Sequence, residues 1–362
     1  MIGKRKLNFF AGPSVLPVDV LEILEQEIGD YRGEGFSMIE TSHRGKAFSD
    51  MYEQALSLFR ELLGIPDNYR VFFLGGGATL QFAMIPMNFL APGQHASYIR
   101  GGSWSNKAYA DAQKLGNVDL LFDGKDSGFT TLPDPKTLKV DPQDAYLYLC
   151  SNETIGGIQW QQWPDAGDVP LIADMSSDIF SRPVPVEKFA MIYGGVQKNL
   201  GPAGATFVIL RDDMFERSPE NLPSYLDYNS HKKDGLYNTP PVFSIWVVKL
   251  VLEWIKANGG VEGMAARAKR KSDMLYETID SCDGFYYSPV DADYRSKMNV
   301  VFRLNDSALE KQFIEESAAA GMLGLKGHRS VGGCRASIYN AVPEEDVKTL
   351  TDFMRDFANA HG

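Results

Sequence analysis

Seven short apolar runs, set apart by longer amphipathic stretches, constrain the fold of this chain more than any other feature. Arg70–Leu74, Ala96–Ile99, Val118–Phe122, Ala145–Cys150, Leu171–Asp174, Met191–Tyr193 and Thr206–Leu210 are each too short for a helix and read as strands. Helical spacing of apolar residues fills intervals between and around them, over Val18–Tyr31, Lys46–Leu63 and Thr79–Leu90. The second of these sets Phe48, Met51, Tyr52, Ala55, Leu58, Phe59 and Leu62 on one stripe for burial. Strands alternating with helices argue against a bundle or a sandwich. They predict an α/β fold on a mixed, mostly parallel seven-stranded sheet.

A helix from Pro241 to Ala257 stops at Asn258-Gly-Gly260, a helix-ending signal. Residues 17–258 are therefore read as a large domain. Beyond it follow a helix (Val261–Ser281), a strand (Met298–Arg303), a helix (Ser307–Ala320), a strand (Arg335–Tyr339) and a last helix (Glu344–Ala360). These make residues 259–362 a small α+β C-terminal domain, against which residues 1–16 are expected to pack. A chain of 362 residues is long enough for both.

The formal net charge of -11 excludes nonspecific binding to nucleic acid or to an anionic membrane. An anionic ligand must then be met by a local cluster of cations. Cys150, Cys282 and Cys334 form no CxxC pair, which implies a reducing, cytoplasmic compartment. His43, His95, His231, His328 and His361 lack metal-ligand spacing, so no metal site is expected. The apolar part of the basic N-terminus, Asn8 to Pro13, is too short for a signal peptide. The most apolar helix, Val242 to Ile255, carries Lys249 and Glu253 and is not read as a membrane span.

Chemistry concentrates where the apolar runs end. Met191-Ile-Tyr-Gly-Gly-Val-Gln-Lys-Asn-Leu-Gly-Pro-Ala-Gly204 places Lys198 just after a strand and before a glycine-rich turn. Pro170-Leu-Ile-Ala-Asp174 ends the preceding strand in a carboxylate. A lysine that can hold an aldehyde as a Schiff base, and an aspartate that can keep a pyridine nitrogen protonated, suit pyridoxal 5'-phosphate (PLP). Gly75-Gly-Gly-Ala-Thr79, between a strand and a helix, suits that cofactor's phosphate. It is not a dinucleotide fingerprint, since Leu80 stands where the third glycine belongs. Trp104, after Gly101-Gly-Ser, could stack on a planar ring. Each has an ordinary explanation singly: a tight turn, a helix cap, a solvated lysine, a core tryptophan. Their succession on consecutive strand ends does not.

Several longer segments also resemble a known family. Gln197-Lys-Asn-Leu-Gly-Pro-Ala-Gly204, Asn152-Glu-Thr-Ile-Gly-Gly157 and Tyr237-Asn-Thr-Pro-Pro241 are similar to motifs of the phosphoserine aminotransferases, a class V branch of the fold-type I PLP enzymes. Asn8 to Pro13, Ser42-His-Arg-Gly-Lys46 and Lys326-Gly-His-Arg to Tyr339-Asn340 extend the resemblance along essentially the whole chain. The resemblance implies that Lys198 is the covalent anchor and proton carrier, Asp174 the partner of the pyridine nitrogen, Trp104 the stacking ring and Thr154 a donor to the ring oxygen. It implies that Ala78, Thr79 and Gln197 hold the phosphate, joined by Asn238 and Thr239 from the second subunit of a homodimer. The implied substrates are L-glutamate and 3-phosphohydroxypyruvate.

Those substrates carry two anionic ends, and one pocket must accept a carboxylate and a phosphate in turn, which calls for forked cationic donors. By the resemblance Arg335 takes the α-carboxylate, while His43, Arg44, His328 and Arg329, drawn from both subunits, take the distal group. The same charge pattern fits 3-hydroxy-2-oxo-4-phosphooxybutanoate, a vitamin B6 precursor. Two alternatives remain open at this level: another class V enzyme, such as an alanine–glyoxylate aminotransferase or a cysteine desulfurase using Cys334, and a catalytically silent PLP-binding protein.

Overall fold

The computed structural model describes residues 2, 3 and 5–362. Seven strands form the central sheet: β1 (Tyr69–Leu74), β2 (His95–Arg100), β3 (Asn117–Asp123), β4 (Leu147–Cys150), β5 (Leu171–Asp174), β6 (Met191–Gly195) and β7 (Thr206–Arg211). Their order is β1-β7-β6-β5-β4-β2-β3. Only β7 runs antiparallel to its neighbours, so the sheet is mixed and mostly parallel.

Alternation along each strand divides the interior into two layers. Val71, Phe73, Leu147, Leu149, Leu171, Ala173, Phe207 and Ile209 face one core. Their neighbours Phe72, Leu74, Tyr146, Tyr148, Ile172, Val208 and Leu210 face the other. The first core is closed by α1 (Val18–Glu27), α2 (Lys46–Leu63) and α5 (Val242–Ala257), and the second by α3 (Gly77–Phe89) and α4 (Ser103–Ala112). In α2, Phe48, Met51, Tyr52, Ala55, Phe59 and Leu63 are buried, while Leu58 and Leu62 are half-buried at the stripe's margin. Gly64, with φ of 60°, ends that helix in a left-handed cap. Among the described residues no helix is long and apolar enough to cross a membrane. Lys249 of α5 is buried and pairs with Glu253 at 2.7 Å.

A third core lies outside the sheet. It joins α6 (Gly260–Ser281), β8 (Asn299–Leu304), α7 (Ala308–Ala319), β9 (Cys334–Ser337) and α8 (Glu344–His361) to Phe9 and Val15. Leu7–Asn8 pairs in parallel with Met322–Leu323, and β8 pairs antiparallel with β9. The first helix is shorter than its apolar pattern suggests. Gly29 and Asp30 follow it, and Asp30 Oδ1 accepts from Gly35 N at 2.7 Å, a turn that competes with further helix.

Candidate active site

The parallel strands deliver their C-terminal ends to one edge of the sheet, where open α/β sheets bind ligands. β1 runs into Gly75 and α3, β2 into Gly101 and α4, β4 ends at Cys150, β5 at Asp174, and β6 just before Lys198. A cavity of about 120 Å³ opens there, lined by Ala78, Thr79, Trp104, Thr154, Asp174, Gln197 and Lys198 with six other residues. Seven of the residues singled out from the sequence thus share one wall.

Local chemistry fixes this wall. Gly76 has φ of 83°, and a Cβ there would stand 2.5 Å from Leu80 Cδ2, so the turn from β1 into α3 needs glycine. No side chain caps α3, which leaves its first backbone N–H groups without partners inside the helix. Ser176 Oγ donates to Asp174 Oδ1 at 2.6 Å and accepts from Gly195 N at 3.0 Å, tying the end of β5 to the end of β6. Ser176 N also donates to Asp174 Oδ1, at 2.8 Å. Lys198 Nζ donates to Thr154 Oγ1 at 2.7 Å and lies 5.6 Å from the Trp104 ring centroid. From behind, Ser14 N donates to Gln197 O at 3.0 Å and Ser14 Oγ donates to Lys198 O.

Burial governs the electrostatics. It pushes the Lys198 pKa down, against the charge of Asp174, which favours the ammonium. It pushes the Asp174 carboxyl up, against the Ser176 hydroxyl and then Lys198, which pull it down. Arg335, on β9 and only 9 % exposed, donates from Nη1 to Thr154 O at 3.1 Å, while its Nε has no partner. His328 sits in the loop before β9 with Nδ1 at 2.7 Å from Ser330 Oγ. Its pKa is lowered by burial first, then by the charges of Arg335, Arg329 and Lys107. Arg335, Arg329 and Lys107 therefore form one local cationic field around His328 on an acidic protein.

The other four candidates lie elsewhere. Arg44, Asn238 and Thr239 are exposed, and His43 is half-buried with its ring edge against Phe48 and Nε2 unpartnered. None of the four lines the cavity of its own chain. Cys334 is fully buried in β9, and burial pushes its thiol up to about 12, which leaves it protonated and unsuited to nucleophilic sulfur chemistry.

The wall fits PLP. Trp104 Nε1 is buried without a partner, a group that costs about 1–3 kcal/mol unless an acceptor arrives. Asp174 takes its hydrogen bonds on Oδ1, leaving Oδ2 for a ring N–H. The uncapped start of α3 suits a phosphate dianion, and the buried lysine suits an aldehyde.

Three contributors escape sequence reasoning. Ser176 carries a faint local signal, a hydroxyl two residues after Asp174. Ser14 acts across 184 residues. Glu153 is buried and accepts hydrogen bonds from the start of α4, and no local pattern announces that.

Comparison with known proteins agrees with this geometry. The class-V aminotransferase family model matches residues 6–350. A phosphoserine aminotransferase of Lysinibacillus sphaericus is 48% identical over 359 residues, covering 99% of each chain. The solved phosphoserine aminotransferase of Bacillus circulans subsp. alkalophilus superposes with a TM-score of 0.98 at 47% identity, over 99% of this chain and 100% of that one. The PLP-bound phosphoserine aminotransferase of Trichomonas vaginalis gives 0.89 at 37% identity, over 97% and 100%. A buried lysine and aspartate on adjacent strand ends of a seven-stranded α/β sheet, with this match along nearly the whole chain, make the protein a member of the class-V aminotransferase family.

Proposed function

We propose that this chain is a PLP-dependent phosphoserine aminotransferase, moving the amino group of L-glutamate to 3-phosphohydroxypyruvate to give 2-oxoglutarate and O-phospho-L-serine. The observation that carries the reading is Thr154. Its hydroxyl receives the Lys198 ammonium and its carbonyl receives Arg335, so the reacting amine and a carboxylate receptor flank one residue.

When bound, the cofactor supplies an aldehyde that takes up an amino group and a ring that accepts an electron pair. Asp174 Oδ2 would hold the proton on the ring nitrogen, and Trp104 would lie against the ring. The start of α3, at Ala78 and Thr79, would receive the phosphate together with Gln197, all three of which line the cavity. Lys198, buried and oriented by Thr154, carries the proton to and from the substrate Cα; burial makes that proton easier to lose. Arg335 grips the α-carboxylate through its fork, with the unpartnered Nε available. His328 and Arg329 meet the distal carboxylate or phosphate.

His43, Arg44, Asn238 and Thr239 belong in this reading to the site of a second copy, making the active site a property of a homodimer. The exposure of Arg44, Asn238 and Thr239 on one chain, and the unpartnered Nε2 of His43, support this. Residues 17–258 would then carry the cofactor, while residues 1–16 and 259–362 bring Arg335 to it. The three cysteines are free, consistent with action in the cytoplasm. The same cations accept 3-hydroxy-2-oxo-4-phosphooxybutanoate, which the reading includes as a second acceptor.

The test is the visible spectrum of the purified, PLP-loaded protein. A band that bleaches with glutamate and returns with 3-phosphohydroxypyruvate is the expected result. A band that returns only with unphosphorylated oxoacids overturns the substrate assignment, and no band overturns the role of Lys198.

A further inference from the structure

Two helices, not one, begin at this cavity. α3 starts beside Ala78 and Thr79, and α4 starts beside Trp104; all three residues line the wall. Either helix could seat an anion, because each N-terminus carries unpaired N–H groups and a partial positive charge. At α4 that capacity is already used. Glu153, 1 % exposed, accepts from Trp104 N at 2.8 Å, from Ser105 N at 2.8 Å and from Ser105 Oγ at 2.6 Å. The backbone is shaped to admit it, since a Cβ on Gly102 would stand 2.5 Å from Glu153 Cδ. At α3 no side chain among the described residues caps the helix, and Tyr225 OH accepts from Gly75 N, just ahead of its N-cap Gly76, at 3.0 Å.

We propose that Glu153 is a positioning residue for the cofactor: it locks the Trp104 backbone so that the ring keeps its angle, and it fills the α4 N-terminus so that the phosphate takes the α3 seat alone. The inference rests on the PLP reading of the site. It assigns to Glu153 and Thr154, neighbours in one short hairpin (Asn152–Glu153 against Ile158–Gln159), the two sides of the same task. Thr154 points its hydroxyl at Lys198, and Glu153 sets the wall opposite. Burial raises the Glu153 carboxyl pKa, and the Ser105 hydroxyl, with the Ser105 and Trp104 amides, lowers it again. Its three partners, two amide N–H groups and a hydroxyl, are all donors, and a carboxylate serves all three.

The experiment compares wild-type protein with Glu153→Gln, which keeps the shape and one acceptor oxygen but loses the charge. PLP is removed and titrated back, with uptake followed by quenching of tryptophan fluorescence and by visible circular dichroism, which reports how the cofactor is held. The PLP dissociation constant should rise about tenfold in the variant, the weight of one charge-assisted hydrogen bond. The dichroic band should change in amplitude while the melting temperature stays within a few degrees. A variant that melts lower but binds PLP with unchanged affinity and an unchanged band makes Glu153 structural only, and overturns the inference. Wild-type protein that takes up no PLP overturns the proposed function, and this inference with it.

Discussion

Lys198 must give up a proton at neutral pH, and its surroundings are divided on that point. Burial disfavours the ammonium, while Asp174, then Cys150 and Glu153, favour it. The net displacement is downward, so the neutral amine becomes available below the ordinary lysine value of about 10.4. A base that works when deprotonated gains activity as pH rises through its pKa. The neutral amine is also the form that condenses with an aldehyde, so the rate at which the cofactor-free protein takes up PLP, followed by the growth of the visible band, is expected to rise with pH, with its midpoint below that value. Lys198→Ala removes both the anchor and the base. Its turnover should fall by about a thousandfold or more, and the visible band should vanish. Steady-state assay and spectrum check this together, and a variant with wild-type turnover would remove Lys198 from the mechanism.

At the scale of elements, α6 holds the site from outside it. Its Lys271 is fully buried and donates to Ile338 O at 2.9 Å, Tyr339 O at 2.6 Å and Val342 O at 3.0 Å, pinning the turn after β9. Asn340, in that turn, donates from N to Asn199 Oδ1 at 3.1 Å, next to Lys198 in sequence. Lys271→Met strands three buried carbonyls and should cost about 3 kcal/mol or more in urea unfolding at pH 6, where the ammonium supplies a donor to each. Burial pulls the Lys271 pKa down to about 7. Between that value and about 10.4 the unfolded chain binds the proton that the folded chain releases, so wild-type stability should rise with pH across this window. The methionine variant has no such proton, and the difference between the two should widen from pH 7 to pH 10. A constant difference would mean that Lys271 does not titrate there. None of this is visible in the apolar spacing of α6, which marks a buried face but not what a lysine on it meets. Elements with a period were legible: α2 spans Lys46–Leu63 as its spacing indicates, and β5 spans Leu171–Asp174 as read. Two-residue strands such as Leu7–Asn8 have no period to read. At the site the same divide holds. Asp174 ends a strand and Lys198 follows one, and both announce themselves, whereas Glu153 and Ser14 act through partners far along the chain.

The whole molecule poses a question of completeness. One chain gathers Lys198, Asp174, Thr154, Trp104 and Arg335 within reach of one cavity, yet leaves Arg44, Asn238 and Thr239 exposed away from it. An acidic protein that handles doubly anionic substrates can ill spare cations from its site. A second copy resolves both facts if a two-fold axis brings Arg44 of each chain to the cavity of the other. Subunit mixing tests this directly. Lys198→Ala and Arg44→Ala are expected to be weak or inactive as homodimers. Coexpressed, they would form hybrid dimers in which one site draws an unchanged Lys198 from one chain and an unchanged Arg44 from the other. Random pairing would then restore about a quarter of wild-type sites. If Arg44 served its own chain, every hybrid site would carry one defect and no activity would return. Recovery near that fraction, measured as kcat/KM for 3-phosphohydroxypyruvate, would establish that the distal-group cations cross the subunit boundary. A mixture no more active than its parents would confine each site to one chain and require another role for the exposed arginine.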